Sequence, residues 1–412
     1  MAKVSRAILL LLISLHCDAA HARKLLVISV DGLDWRYLHD CDALGLRIEN
    51  VRRLLEEGEY ADGVVGVWPS ITWPSHTSII TGARPDQHGI LGNRRPKSEG
   101  GDYYWTAALL KAPTLWQAAH KHRMKTASVT WPVTADAEID YNLPEYFFTR
   151  QGGEMDLDGV ASKSSPGLID EISTAFPSFP QHWVDDRTRT LAVLYLLRTK
   201  KPNLILVHLV DLDSEEHEQG PFTKNAKAVL EYTNELIGEM LTALPAEYSV
   251  ALVSDHGFER VDYTANVRVL LSQNRVQGQG QPLGGIVTTE DERVAQFLRR
   301  KAHEPNSGIG REIPHAELIQ YAPDLAHVAA AFEPAEHILF GAQSEGPYLT
   351  PAYEKGNHGF WPERRDYRSI FILWGPGIKR GNIGQIQMLS IAGRLAEILQ
   401  IPFPDSRPGM KP

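Results

Sequence analysis

Three short apolar runs recur along this chain, and each ends in residues able to bind a cation. Residues 24–30, KLLVISV, stop at Asp31-Gly32. Residues 203–210, NLILVHLV, run into DLDSEEHEQGP, which sets Asp213 and His217 four positions apart. Residues 248–257, YSVALVSDHG, close on Asp255 and His256. Runs that are continuous rather than alternating mark strands buried on both faces, the condition of a parallel sheet. Helical spacing lies between them, over 49–58 (stopped by Gly58), 114–122, 186–199 and 223–244. Strands are also expected at 125–132 and 369–375, with a closing helix near 388–400. This rhythm predicts an α/β fold: a mostly parallel sheet with helices on both faces. Such sheets place their sites outside the carboxyl ends of the strands, where these acids and imidazoles stand.

The rhythm breaks over 263–355, which holds the polar QNRVQGQGQPLGG and the short strand candidates GGIVTT and HILFG. We read that segment as a smaller inserted cap, leaving a catalytic core of 23–262 and 356–412. Residues 133–183, rich in Gly, Pro and Ser, are expected to be irregular surface excursions. With 412 residues, 43% of them apolar and 23% charged, the chain can bury a large core. A net charge of −9 and the lack of a long basic run argue against a nucleic-acid groove. Residues 1–22 read as a signal peptide: Lys3 and Arg6, then ILLLLISL, then Ala20-His21-Ala22. An uncleaved anchor is the alternative. Cleavage predicts a secreted or periplasmic protein with no stable membrane insertion. Cys41 would then be its sole thiol, so no disulfide framework is expected.

One further stretch carries chemistry. WPSITWPSHTSIITG, 68–82, presents Thr72 between Pro69 and Pro74 ahead of a helical run over 75–81. A hydroxyl at the mouth of a helix lies beside free backbone N–H groups and the positive end of the dipole, a good place for an oxyanion. Alone, Thr72 proves little, since a Thr before Trp-Pro is more often a cap or turn residue. The other pieces have bland readings too. Asp31 and the Asp255-His256-Gly257 run could be turns, and Asp213 and His217 a solvated helix face. His358, between Gly356 and Gly359, could be structural. Taken jointly, four separate segments delivering carboxylates and imidazoles point to a divalent-metal site.

The motifs fall in one order: VDG (30–32), PSITWPSH (69–76), TGARPDQHGILGN (81–93), DSEEH (213–217), SDHG (254–257) and GNHG (356–359). In this order the chain resembles the nucleotide pyrophosphatase/phosphodiesterase family of the alkaline phosphatase superfamily. The resemblance implies an alkaline-phosphatase-like fold and two divalent metal ions, usually zinc. One ion would be held by Asp31, Asp255, His256 and Thr72, the other by Asp213, His217 and His358. It also implies that Thr72 attacks phosphorus to form a phospho-threonine intermediate, and that Asn93 donates to a non-bridging phosphate oxygen. His76 and His88 match family positions, with supporting roles expected.

Trp73 matches the aromatic that stacks on the base in nucleotide-cleaving members. At the partner position, five before Asp213, the family's Tyr is replaced by His208, so both are candidate substrate contacts. The absence of an Arg beside Thr72 favours diesters among small-molecule phosphate esters, although Arg84 and Arg94 lie near in sequence. Phosphomonoester or phosphonate hydrolysis on the same metals, and a catalytically dead exported binding protein, are the alternatives. A sulfatase is disfavoured because the Cys/Ser-x-Pro-x-Arg signature is missing.

Overall fold

A computed structural model describes residues 24–146, 157–179 and 185–404. The expected signal peptide lies outside them. The central sheet has eight strands, in the spatial order Gly381–Asn382, Glu59–Tyr60, Phe371–Trp374, Tyr248–Val253, Lys24–Val30, Leu204–Leu209, Thr126–Val129 and Tyr141–Leu143. Only Phe371–Trp374 runs against the rest. Lys24–Val30 lies between two parallel neighbours, with Val30 opposite Leu209 and Ser29 opposite Val253. The three apolar runs therefore end level, and the acids and imidazoles after them emerge together at one edge.

Successive residues of Lys24–Val30 point to opposite faces. Leu26, Ile28 and Val30 pack with Val51 and Leu54 of the Glu49–Glu57 helix, and with Leu230, Ile237 and Met240 of the Lys224–Ala243 helix. Leu25 and Val27 pack on the other face with Ile79 and Ile80, with Trp116 of Leu115–Lys121, and with Leu395 of Ile391–Leu399. Fully burying each such side chain stabilises by about 1.5–3 kcal/mol. Register is thus fixed on both faces, since a one-residue slip would exchange the two sets.

Residues 263–355 carry their own antiparallel sheet, in the order Gln281–Leu283, Ile286–Thr289, Ala330–Pro334, Ile309–Glu312. A three-stranded sheet is built on Tyr263–Asn266. Val267, Val287, Leu298 and Phe332 share a separate cluster there. A second cluster, including Val65, Ile286, Leu318 and Trp361, joins this region to residues outside it, Val65 belonging to the short strand Val64–Val65. The described residues within 133–183 are more ordered than expected. Tyr141–Leu143 adds an edge strand, parallel to Thr126–Val129, and helices form over Leu157–Lys163 and Leu168–Ala175. Among the described residues, no helix is long and apolar enough to cross a membrane.

Candidate active site

Thr72 is the first residue of the Thr72–Thr81 helix, three positions earlier than the sequence suggested, and Ile71 holds the extended capping conformation. The Thr72 and Trp73 N–H groups therefore belong to the first turn, where no carbonyl of the helix can reach them. The Trp73 N–H donates to Asn93 Oδ1 at 3.0 Å. Only the oxygen of an amide can accept from a backbone N–H, so Asn93 Nδ2 is the end left to donate. The Thr72 carbonyl accepts from His76 Nδ1 at 2.9 Å, and Ser29 Oγ donates to His76 Nε2 at 2.9 Å. Burial lowers the His76 pKa to about 3, which keeps the ring neutral in this arrangement. His76 Nδ1 also lies 3.5 Å from Asp255 Oδ2, so the Thr72 backbone and the SDHG turn share one imidazole.

The strand ends bring carboxylates and imidazoles together. His256 Nε2 lies 3.0 Å from Asp255 Oδ2 and 3.3 Å from Asp31 Oδ1. Asp213 Oδ1 lies 3.6 Å from both His217 Nε2 and His358 Nε2. The His256 and His358 rings stack at 3.7 Å, joining the two groups. Ligand atoms of Asp213, His217 and His358 all fall within 4.8 Å of one another, as do those of Asp31, Asp213 and His256. Asp255 adjoins through His256, and its Oδ1 accepts from the Gly32 N–H at 3.2 Å. Gly32 has φ +72°, and a Cβ there would press on Phe258 and Glu216, each at 3.0 Å.

The residues fit a divalent cation on one test. Among the described residues, Asp31 Oδ1, Asp255 Oδ2, His256 Nε2, Asp213 Oδ1, His217 Nδ1 and His358 Nδ1 are buried atoms with no hydrogen-bond partner. Leaving one such group unsatisfied costs about 1–3 kcal/mol, so a cluster of them needs a compensating ligand. The electrostatics agree. Burial first and Asp255 second push the Asp31 carboxyl up to about 6, and burial with Asp31 pushes Asp213 to about 7. Burial also acts to raise Asp255, but His256 and His76 outweigh it and hold that carboxyl below its ordinary range. Burial, with His256 and His217 nearby, drives His358 well below the usual imidazole value, leaving it a neutral, ligand-type ring. Nitrogen and carboxylate donors in this mix suit zinc and similar ions.

The substrate contacts need correction. His208 is fully buried in its strand and cannot stack on a ligand. Its Nε2 is 2.9 Å from Asp31 Oδ2 and its Nδ1 2.6 Å from Glu145 Oε2. Burial would lower its pKa, but Glu145 and Asp31 prevail and raise it to about 10, so the ring donates to both carboxylates. Trp73 is 4% exposed and packs against Tyr103 at 5.1 Å and Trp105 at 6.1 Å, so it builds an aromatic wall from within. Arg94 lies 4.0 Å over the Tyr103 ring, while Arg84 is bound to Asp86. His88 is structural: it accepts from the Ile90 N–H and pairs with Ser78 Oγ. Sequence reasoning missed Glu145 and Thr130, both beside His208. The available signal was His208 itself, since a polar ring inside LILVHL must find partners.

Comparison with known proteins shows what the chain is similar to. Mouse ectonucleotide pyrophosphatase/phosphodiesterase family member 1 is 23% identical over 92% of this chain and 41% of its own length. Venom phosphodiesterase 2 of Crotalus adamanteus is 21% identical over 95% of this chain and 47% of its own. The chain thus spans less than half the length of these relatives. Among solved structures, inactive murine ectonucleotide pyrophosphatase/phosphodiesterase 5 in complex with AMP superposes with a TM-score of 0.64. It is 16% identical and covers 94% of this chain and 97% of that one, a likeness that shows a shared alkaline-phosphatase-like fold. The sequence profile of the type I phosphodiesterase / nucleotide pyrophosphatase family matches residues 25–364, most of the chain, and the chain belongs to that family.

Proposed function

We propose that this chain is an exported two-metal phosphodiesterase, which hydrolyses phosphodiester or nucleotide pyrophosphate bonds through a phospho-threonine intermediate on Thr72. The observation that carries the reading is the set of atoms on Asp31, Asp255, His256 and Asp213 that have no hydrogen-bond partner among the described residues, with His217 Nε2 and His358 Nε2 each 3.6 Å from Asp213 Oδ1 and His76 of the Thr72 helix 3.5 Å from Asp255. We assign Asp31, Asp255, His256 and Thr72 to one ion and Asp213, His217 and His358 to the other, with residues 263–355 as a cap on the core. Two divalent ions, zinc by donor chemistry, would neutralise the clustered carboxylates, acidify the Thr72 hydroxyl and stabilise the leaving oxygen.

The chain's own groups do the rest. Thr72 Oγ attacks phosphorus in line, the bond to the leaving alcohol or phosphate breaks, and water then hydrolyses the phosphothreonine to free Thr72. Asn93 Nδ2, aimed by the Trp73 N–H, donates to a non-bridging oxygen, and the Thr72 N–H is a second donor there. The aromatic wall of Trp73, Tyr103 and Trp105 offers an apolar flank to an aryl or nucleoside leaving group. The test is a screen of the purified protein against a bis-aryl phosphate, the matching mono-aryl ester and a dinucleotide, with and without chelator. Chelator-sensitive cleavage of the diesters over the monoester is expected. Preference for the monoester would overturn the diester assignment, and no turnover with metal retained would point to a binding protein.

A further inference from the structure

The buried pair Glu145–His208 has no role in the chemistry proposed at Thr72, yet it is tied to Asp31, which does. Ser29 stands opposite His208 in the sheet, so the His208 ring rises beside Asp31. Asp31 Oδ2 is taken by His208 Nε2 at 2.9 Å, while Asp31 Oδ1 has no hydrogen bond among the described residues and lies 3.3 Å from His256 Nε2. On its far side the ring is fixed by Glu145 Oε2 at 2.6 Å, and Glu145 is 3% exposed. The His208 backbone is pinned as well: its carbonyl accepts from Thr130 Oγ1 at 3.0 Å and Arg189 Nη1 at 2.8 Å. A carboxylate with both oxygens free could swing, or grip a cation through either or both. Here one oxygen is tied and the other is presented.

We propose that Glu145, acting through His208, is a positioning residue that makes Asp31 a one-oxygen ligand aimed at the cation shared with Asp255 and His256. The inference rests on the two-metal reading and deepens it. His208 thereby leaves the substrate wall and joins the support of one metal half-site. Groups in this outer position typically govern metal affinity by 10–100-fold, and they act on the ligand they touch rather than on both sites.

The experiment titrates zinc into the chelator-stripped full chain against a chromophoric competitor, for wild type, Glu145→Gln, Glu145→Ala and His208→Ala. Wild type is expected to bind two ions. Glu145→Ala and His208→Ala should weaken one of them by about 10–100-fold and leave the other unchanged. Glu145→Gln keeps an acceptor for Nδ1 and should recover part of the loss. KM for a diester should stay within about 3-fold of wild type, because neither side chain reaches substrate. Should the alanine variants fail to fold, the isosteric Glu145→Gln decides alone, through a measurable loss confined to one ion. Wild-type affinity at both sites in the Glu145 variants, or equal weakening of both, would overturn the inference. Failure of wild type to bind any zinc would sink the two-metal reading itself.

Discussion

The two proposed ligand triads are built differently. Asp31, Asp255 and His256 are 3%, 0% and 1% exposed and sit directly on strand ends. The Asp31 N–H completes the ladder to Leu209, and Asp255 holds the Gly32 N–H. Asp213, His217 and His358 have side chains 16%, 24% and 9% exposed. Asp213 comes from the first turn of the Asp211–Gln219 helix, His217 from its last turn and His358 from a loop, and among the described residues Asp213 Oδ1 has no hydrogen bond. Residues of 263–355 steady this second group: the Lys355 N–H donates to the His217 carbonyl, and Glu354 lies 3.3 Å from His217 Nδ1. The first triad is part of the sheet's own bonding, whereas the second is assembled on its rim. Loss of the first should therefore harm the fold, and loss of the second should harm function alone.

The largest effect tests what the triads serve. Thr72→Ala should lower diester turnover by at least about 10⁴-fold while both metal equivalents remain, as read by elemental analysis. Turnover near wild type in that variant would remove Thr72 from the chemistry. Next come the ligands. Asp213→Ala and His358→Ala should each lose one metal equivalent and about 10³-fold in kcat, with the metal-free unfolding free energy changed by no more than about 0.5 kcal/mol. Asp255→Ala should cost the metal-free protein about 1–3 kcal/mol in addition, because the buried Gly32 N–H loses its acceptor. Equal losses of metal-free stability from Asp213→Ala and Asp255→Ala would erase the contrast between the triads.

The same contrast explains what could be read from sequence. Buried parallel strands are written as continuous apolar runs, so KLLVISV, NLILVHLV and YSVALV disclosed both themselves and the acids at their ends. The Glu49–Glu57 helix and its Gly58 stop were legible for similarly local reasons. Tyr141–Leu143 was not, because three residues at a sheet edge carry too few positions to show a period. Glu145 lay within a stretch taken for surface and is nearly fully buried. Only the pairing of Thr126–Val129 with both Tyr141–Leu143 and Leu204–Leu209 brings it to His208. The family pattern suggested a substrate role for His208, and burial inside the sheet overrode it.

In the proposed function Asn93 is the donor to the phosphate. Asn93→Ala should cost about 10²–10³ in kcat, with KM and metal content little changed, since it removes one donor to charge that develops in the transition state. A rise in KM at constant kcat would instead make Asn93 a ground-state contact. Asn93→Asp should do no better than alanine, because a carboxylate accepts from the Trp73 N–H but offers no donor to phosphate.

The smallest effect probes how the rim is held. Gly284 and Gly285, with φ +52° and +80°, make the tight turn between Gln281–Leu283 and Ile286–Thr289. The turn touches both loops of the site: Trp68 Nε1 donates to the Gly284 carbonyl at 2.9 Å, and a Cβ on Gly285 would collide with the Gly359 carbonyl, next to His358. The atoms nearest a Cβ on Gly284 would be those of the Pro69 and Trp68 side chains, at 3.2 Å. Both alanine variants bear a similar penalty for positive φ, about 1 kcal/mol, so their difference isolates the push on Gly359. Gly285→Ala should weaken the Asp213–His217–His358 ion and lower kcat by about 10-fold, and Gly284→Ala should do neither beyond about 2-fold. Matching losses from the two would mean that turn conformation, rather than contact with the His358 loop, is what residues 263–355 contribute to the rim.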